Sequence, residues 1–386
     1  MMSGMGAPAD AGDAQAHTPF LPEPTGRYPV GITSLWLTDT SRPDPWAAGV
    51  NERELMVSLW YPALSSAGPR AEYMTPAESV LQLTSRDIAG LPPDALSMVR
   101  TNAVSDAPPA GRQRSRPLVV LSPGFTNSRS VLTGLAEDLA SHDYVVAGID
   151  HAYESFGTAF PDGRVTTCLA RETRRRGEGF WEKLSAGRAA DISFVLDQLT
   201  GARPDWPAAA LIDPSRIAMA GHSIGGAAAI AALLADSRIR AGIDMDGTIH
   251  VPIPGPGLSR PFLFLGKQSN YTPGSGGAVT TWEHDWKHLT GWKRWLLVAG
   301  AMHASFTDLG LLADQAGIDI GAGIPGARSL DITRAYVRGF FDRHLRSTPQ
   351  ALLDQPSPRY PEVTFCSPET KTCRQWPRTG GDRDER

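Results

Sequence analysis

Hydrophobic residues in the central part of the chain form short continuous runs that alternate with amphipathic segments. The runs expected to be buried strands are 117–121, 144–149, 239–243, 261–265 and 295–298. The segments with the apolar spacing of a helix include 130–141, 184–199 and 330–345. Continuous apolar strands that alternate with helices are typical of a parallel sheet covered on both sides. The pattern therefore predicts an α/β fold with a mostly parallel central sheet and helices on both faces.

The flanks of this repeating part have a different pattern. Alternating residues at 30–37 and 55–61 predict two strands that pair antiparallel. Residues 62–115 are dense in Pro, Ser and Ala, which indicates an insertion or covering segment. We expect a disordered lead over 1–26, one domain over 27–346 and a C-terminal extension over 347–386.

A strand-to-turn-to-helix sequence around Ser223 suggests a nucleophile. Ser223 is the serine of a Gly-x-Ser-x-Gly motif, between an apolar strand and an Ala-rich helix. In a nucleophile elbow the serine occupies a strained turn, and small residues such as Gly221 and Gly225 leave room where strand and helix crowd it. The turn also presents the backbone N–H of Ile224 at the start of the helix, where it can stabilise an oxyanion.

A serine nucleophile needs a histidine that a carboxylate orients. His303 follows the strand at 295–298, and an acid after the strand at 239–243 gives the chain order Ser, Asp, His of α/β-hydrolases. Asp246 is the preferred acid because Gly247 eases the turn beside it, with Asp244 as the alternative. His222 is interpreted as a packing or orienting residue, and His151 as a residue able to line the cleft.

The second oxyanion donor is expected in the loop after the first parallel strand. Pro123 in that loop has no N–H, and Gly124 allows a sharp turn, so the predicted donor is the amide of Phe125. Two groups of aromatic residues either wall an apolar acyl pocket or pack in the core. They are Trp282, Trp286 and Trp292, and Phe156 and Phe160.

Composition excludes several classes of function. The net charge is −4 over 386 residues and the pI is near 6.1, so there is no basic surface for nucleic acid. The first twenty residues lack the pattern of a secretory signal, and no segment is long and apolar enough to span a membrane. These observations predict a cytoplasmic enzyme.

Cysteines and histidines give little sign of a metal or cofactor. Cys366 and Cys373 are spaced to form a small disulfide loop in an oxidising compartment, but free thiols are expected in the cytoplasm. His284 and His288 lie four apart, yet the sequence shows no further ligand at metal spacing. We therefore expect no metal and no organic cofactor.

Several separate motifs together resemble the bacterial branch of the platelet-activating factor acetylhydrolase family of α/β-hydrolases. They are PTGRYPVG at 24–31, WYP at 60–62, PLVVLSPGF at 117–125, DLASHDYVVAGIDH at 138–151, GHSIGGA at 221–227, IDMDG at 243–247 and MHASFTD at 302–308. The resemblance implies Ser223 as nucleophile, Asp246 as acid and His303 as base. It further implies Phe125 and Ile224 as amide donors. Pro123 departs from the family, which usually has His there.

The implied reaction is hydrolysis of a short-acyl or lipid-like ester through an acyl-enzyme, without a cofactor. The same triad also serves thioesterases, amidases, acyltransferases, cyclases and polyester hydrolases. A binding protein that kept the fold without catalysis is a further alternative. The sequence leaves the oligomeric state open.

Overall fold

A computed structural model describes residues 18–174 and 177–377. Its centre is a run of parallel strands within a twelve-stranded sheet. In spatial order these are β12 (Lys293–Val298), β11 (Phe262–Lys267), β10 (Ile239–Met245), β9 (Ile212–His222), β5 (Arg116–Ser122) and β6 (Val145–His151). Because the strands run the same way, their carboxyl ends meet at one edge, where ligands bind in such sheets.

Mostly antiparallel strands extend the sheet on both sides. Beyond β6 lie β2 (Arg53–Pro62), β1 (Val30–Asp39), β4 (Arg100–Ser105) and β3 (Arg70–Glu72). Beyond β12 lie β13 (Val363–Ser367) and β14 (Thr372–Arg374), and a separate hairpin joins β7 (Thr158–Ala159) to β8 (Val165–Thr166). β1 and β2 pair antiparallel, as the sequence predicts.

Helices cover both faces of the sheet. The helices are α1 (Pro76–Thr84), α2 (Thr133–Ser141), α3 (Ala170–Arg174), α4 (Phe180–Thr200), α5 (Ile224–Ala235), α6 (Gln268–Tyr271), α7 (Val279–His288), α8 (Asp308–Gln315) and α9 (Gly326–Arg346). Alternate residues of β5 enter different cores: Leu118 packs with α4 and α5, and Val119 packs with α2 and α9. The prediction of a mostly parallel sheet between two helical layers is confirmed.

The predicted disordered lead is corrected over 18–26, while 1–17 lie outside the described residues. Leu21 is buried, and both the backbone N–H and the hydroxyl of Thr25 donate to Asp138 Oδ1, at 2.9 and 2.7 Å. Gly26 N–H donates to Ser141 Oγ at 2.9 Å. Polar contacts to α2 therefore hold this segment on the domain.

The two other flanking segments join the sheet. Residues 62–115 supply β3, β4 and α1, and the part of the extension up to residue 377 supplies β13 and β14. The division into an insertion and an extension stays a prediction. None of the helices in the described ranges has the length and apolarity needed to cross a membrane.

The two C-terminal cysteines are paired. Cys366 of β13 and Cys373 of β14 face each other across the hairpin and form a disulfide, while Cys168 is a free thiol. This corrects the expectation of free thiols. Disulfides persist mainly in oxidising compartments, so the pairing does not agree with the predicted cytoplasmic location.

Candidate active site

Ser223 occupies a strained turn between β9 and α5. Its φ is 57° and its ψ is −124°, a conformation that costs about 1–3 kcal/mol and persists only where its surroundings impose it. Its N–H donates to the carbonyl of Met245 in the adjacent strand β10, at 2.8 Å. A Cβ added to Gly221 would lie 2.1 Å from the Gly225 carbonyl, so the turn closes only with glycine there. The local sequence thus fixes Ser223 at the end of a buried strand.

His303 and Asp246 form a close pair. Nδ1 of His303 lies 2.5 Å from Oδ2 of Asp246. The other oxygen of Asp246 accepts the backbone N–H of Lys267 at 2.8 Å, and its side chain is 1% exposed. The carboxylate is therefore held from two sides, and it orients an imidazole that is itself 47% exposed.

Ser223, Asp246, His303 and Ile224 line one cavity of about 480 Å³ at the carboxyl ends of the parallel strands. The other lining residues come from the start of α4, the loop after β10, the end of β11 and the short helix α6, namely Trp181, Thr248, His250, Lys267, Asn270 and Tyr271. The structure thus brings together three side chains that lie up to 80 positions apart in the chain. No sequence motif marked the other wall residues, because loops of separate strands meet only in the fold.

The wall of the cavity is aromatic and polar. Trp181 stacks on His250, with ring centroids 5.4 Å apart and planes at 15°. Tyr271 places its hydroxyl 3.1 Å from that of Thr248. Ile224 is the one aliphatic side chain among the described lining residues. The described lining therefore offers mainly aromatic and polar surface around Ser223.

The loop after β5 lies directly against the elbow. A Cβ added to Gly124 would come within 3.3 Å of Ser223 Cβ and 3.0 Å of His222 Nδ1. Among the described residues, no internal acceptor receives the backbone N–H of Phe125. Ile224 is the first residue of α5, where a helix leaves its N–H groups free. In the described structure the amides of Phe125 and Ile224 therefore lack an internal acceptor, and Gly124 brings the first of them close to the elbow.

His222 supports the turn that bears His303. Its Nε2 lies 2.9 Å from the carbonyl oxygen of His303, so this nitrogen is the donor. The two rings are 4.4 Å apart. Burial lowers the pKa of His222 well below its usual value, and the nearby His303 adds to this effect. His222 is neutral and buried, which agrees with its interpretation as an orienting residue.

Asp244, the alternative acid, points away from the site. It is fully buried, and its Oδ1 accepts the N–H of Gly247 at 2.8 Å. Burial raises its pKa well above the usual range, and the neighbouring carboxylate of Asp246 adds to the rise. In the described structure Asp244 makes no hydrogen bond to His303 and acts as a capping group for the turn.

Other candidates from the sequence lie away from the cavity. His151 is 2% exposed and bonds Asp191 and Ser122 in the interior, so it does not line the cleft. Trp282 stacks on Tyr271 from behind, inside the core. The other residues considered for an acyl pocket are packed elsewhere, namely Trp286, Trp292, Phe156 and Phe160.

Three side chains that can ligate a metal ion lie together on α7, outside the cavity. The ligand atoms of His284, Asp285 and His288 lie within 4.8 Å of one another, so the structure supplies the carboxylate that the sequence did not suggest. Oδ1 of Asp285 already lies 2.9 Å from His284 Nδ1 and accepts the N–H of Ile253 at 3.1 Å. These contacts give Asp285 a structural role within the domain.

Comparison with known proteins gives a family for this arrangement. The model of the family described as platelet-activating factor acetylhydrolase, isoform II, matches residues 14–171 and 208–318, well over half of the chain. The chain belongs to this family. The matched ranges include Ser223, Asp246 and His303 together with the loop that contains Phe125.

The relatives and the solved structure that this chain resembles have the names of ester-hydrolysing enzymes. The chain is 30% identical over 385 residues to a probable 1-alkyl-2-acetylglycerophosphocholine esterase of Arthroderma benhamiae, covering 90% of this chain and 93% of that protein. It is 24% identical over 329 residues to the platelet-activating factor acetylhydrolase of Cavia porcellus, covering 75% and 69%. A solved ferulic acid esterase from Streptomyces cinnamoneus superposes with a TM-score of 0.81 at 42% identity, covering 91% of this chain and all of the other. This member of the acetylhydrolase family is an ester hydrolase with the α/β-hydrolase fold.

Proposed function

We propose that Ser223 is the nucleophile of this ester hydrolase, with His303 as general base and Asp246 as the orienting acid. His303 takes the hydroxyl proton as Ser223 Oγ attacks the ester carbonyl. The amides of Phe125 and Ile224 hold the oxyanion, and the protonated His303 then gives its proton to the departing alcohol. Water, deprotonated by His303, hydrolyses the acyl-enzyme. No metal or organic cofactor takes part in this scheme.

The observation that supports these roles best is the shared cavity. It contains a serine at a strained strand-to-helix turn and a histidine whose Nδ1 is held by a buried carboxylate. The test is kcat/KM on p-nitrophenyl acetate for the wild-type protein, Ser223→Ala and His303→Ala. Each variant should lose activity by about 10³-fold or more while its Tm stays near that of the wild type. Full activity in either folded variant would contradict the assignment.

The substrate is proposed to be an ester with a short acyl group. Among the described residues, the lining offers aromatic rings and polar groups around Ser223 with a single aliphatic side chain, which favours a short acyl group over a long alkyl chain. A series of p-nitrophenyl esters from acetate to palmitate tests this point. We expect kcat/KM to be greatest for the esters of short-chain acids, whereas an optimum at the palmitate ester would indicate a lipase-like site.

The resemblance to the ferulic acid esterase favours a second candidate, an aromatic acyl group of the hydroxycinnamate type. The stacked pair Trp181 and His250 and the ring of Tyr271 provide flat apolar surfaces beside Ser223. Methyl ferulate and p-nitrophenyl acetate compared on one preparation separate the two candidates. Loss of ferulate turnover in Trp181→Ala, with acetate turnover retained, would support the aromatic acyl group.

Lys267 adds a feature to the substrate proposal. Its side chain lines the cavity, and in residues 18–174 and 177–377 no carboxylate oxygen lies within 4.0 Å of its ammonium group. A cation that lacks a protein counter-ion attracts anionic groups. We therefore expect esters that have a carboxylate or phosphate near the scissile bond to be favoured.

The alternatives that share the acyl-enzyme are separated by their acceptor. Product analysis in water and with an added alcohol or amine distinguishes hydrolysis from acyl transfer. The proposed partner is a small-molecule or lipid-like ester. Cytoplasmic location stays a prediction, against which the Cys366–Cys373 disulfide argues.

A further inference from the structure

A cluster of charged side chains lies buried beneath the loop that contains Phe125. We call it the buried charge cluster, and its members are Asp44, Arg53, Glu154, Arg188 and Asp191, each with a side chain no more than 2% exposed. Arg53 pairs with Asp44 at 2.7 Å and with Asp191 at 2.8 Å, and Arg188 pairs with Glu154 at 2.8 Å. Buried charges are costly unless paired, and pairing alone seldom gives a net gain in stability. A contribution to stability alone therefore does not account for the cluster.

Arg188 differs from Arg53 because it also contacts the loop after β5. Its Nη1 donates to the carbonyl oxygen of Pro123 and, at 3.1 Å, to Oγ of Ser122. Its Nε donates to Glu154 Oε2 at the same time. A planar guanidinium can make these contacts together, whereas the single ammonium of lysine cannot match their geometry. Arg188 thus fixes the start of the loop.

The other end of the same loop is fixed through Glu154. The N–H of Thr126 donates to the backbone carbonyl of Glu154 at 2.9 Å, and the N–H of Phe156 donates to the carbonyl of Thr126 at 3.0 Å. Phe125 therefore lies between two anchored residues, and both anchors meet at Glu154. Its own N–H remains without an internal acceptor in the described structure.

His151 completes the support of Ser122. Its Nδ1 lies 2.7 Å from Asp191 Oδ2 and its Nε2 lies 2.9 Å from Ser122 Oγ. Burial lowers the pKa of His151, and the positive charge of Arg188 lowers it further, so the ring is neutral. Nδ1–H then donates to Asp191, and Nε2 accepts the Ser122 hydroxyl proton. Ser122 Oγ remains an acceptor for Arg188. Each hydrogen bond from Asp191 through His151 and Ser122 to Arg188 therefore has a defined donor and acceptor.

We propose that Arg188 is a positioning residue that aims the Phe125 amide at the developing oxyanion. It acts through the carbonyl of Pro123, the hydroxyl of Ser122 and the carboxylate of Glu154, and in the described structure it makes no hydrogen bond to Ser223. This inference rests on the proposed function, since it needs Phe125 N–H to be an oxyanion donor. Loss of one such donor costs about 10²–10³ in kcat, and a donor that is present but misdirected costs part of that factor.

The test uses Arg188→Lys, with Arg53→Lys as its matched control. Both substitutions keep a positive charge in the buried charge cluster and beside Glu154, but in the described structure Arg53 makes no hydrogen bond to residues 122–126. We expect Arg188→Lys to lower kcat for p-nitrophenyl acetate about 10- to 100-fold, with KM within about threefold of the wild type. Arg53→Lys should lower the Tm and leave kcat within about threefold.

A boronic acid inhibitor gives a readout that a structural role would not change. It forms a tetrahedral adduct with a serine nucleophile, whose oxygen occupies the oxyanion site. Its Ki should rise in Arg188→Lys by about the factor by which kcat/KM falls, and it should stay unchanged in Arg53→Lys. Equal kcat and Ki in the wild type and folded Arg188→Lys would overturn the inference.

A second variant keeps the test decisive if Arg188→Lys fails to fold. Ser122→Ala removes one acceptor of Arg188 and should lower kcat about 3- to 10-fold with KM unchanged, as a partial loss of oxyanion alignment. Wild-type kcat in Ser122→Ala would then overturn the inference. Failure of the proposed function is a separate result, namely no Ser223-dependent hydrolysis of any ester by the wild-type protein.

Discussion

Nδ1 of His303 lies 2.5 Å from Oδ2 of Asp246, and the second oxygen of that carboxylate is fixed by the backbone N–H of Lys267. Asp246→Asn keeps the shape of the side chain but presents an amide that favours the wrong imidazole tautomer. We expect kcat for p-nitrophenyl acetate to fall by about 10³–10⁴, with little change in Tm.

Asp244→Asn is the matched control for that substitution. Asp244 lies two residues away, is equally buried and bonds the turn at Gly247 rather than His303. Its pKa is raised by burial, so the neutral amide replaces a carboxyl that already favours its neutral form. Activity should stay within about tenfold of the wild type. A loss in Asp244→Asn that matched or exceeded that in Asp246→Asn would identify Asp244 as the acid.

The elbow should tolerate no side chain at Gly221. An added Cβ would meet the Gly225 carbonyl at 2.1 Å, so Gly221→Ala must displace either β9 or α5. We expect it to lose activity and to lower the free energy of unfolding by about 2 kcal/mol or more, measured by urea denaturation. Gly187→Ala in α4 meets no atom within 4 Å and should instead add about 0.5–1 kcal/mol. If Gly187→Ala lowered the free energy of unfolding more than Gly221→Ala did, the close packing of β9 against α5 at Gly221 would be contradicted.

Lys267 should select for anionic esters. With 4-acetoxybenzoate and its neutral methyl ester as the substrate pair, Lys267→Met should lower kcat/KM for the anion about tenfold and change the neutral ester little. The preference of the wild type should also weaken as salt is raised. Lys293→Met, far from the cavity lining, is the control. An unchanged ratio in Lys267→Met would exclude this role.

Asp308 should make stability depend on pH. It follows the His303 turn, is fully buried and accepts the N–H of Gly134, and burial raises its pKa to about 7. In the unfolded chain its pKa is near 3.8, so the folded state binds more protons between these values. This group therefore stabilises the fold at low pH and loses that contribution as pH rises toward 7.

Asp308→Asn removes this dependence, because the amide resembles the neutral carboxyl. Relative to the wild type, its free energy of unfolding should increase between pH 5 and pH 8 by on the order of a few kcal/mol. Asp87→Asn is the control, because Asp87 is exposed and asparagine tolerates its positive φ. If the free energies of unfolding of the wild type and Asp308→Asn differ by the same amount at pH 5 and at pH 8, the prediction is contradicted.

The periodic pattern was enough to predict the central sheet, and the elbow motif singled out Ser223. A continuous apolar run indicates a strand that is buried on both faces of the sheet. A strained turn needs glycines beside it, and these are visible in the sequence. Residues 18–26 were mispredicted because their order depends on polar contacts to Asp138 and Ser141, more than 100 positions away. No local pattern encodes such contacts.

The walls of the cavity and the support of the loop were also missed for a physical reason. Trp181 lies at the start of α4, whereas Lys267 and Tyr271 lie at the end of β11 and in the helix α6 that follows it. These two segments meet only when the sheet is assembled. Arg188 sits within a helix whose sequence shows only amphipathic spacing, and its contact with Pro123 is visible only in three dimensions. Sequence therefore suggested the reacting groups, and the fold was needed for the groups that position them.

The most direct test of the account is to trap the acyl-enzyme. Wild-type protein is mixed with excess p-nitrophenyl acetate, quenched in acid within milliseconds and digested for peptide mass spectrometry, with Ser223→Ala treated in parallel. We expect one acetylated residue, Ser223, at early times in the wild type, and none in Ser223→Ala. Acetyl on another residue, or continued turnover by Ser223→Ala, would contradict the central claim.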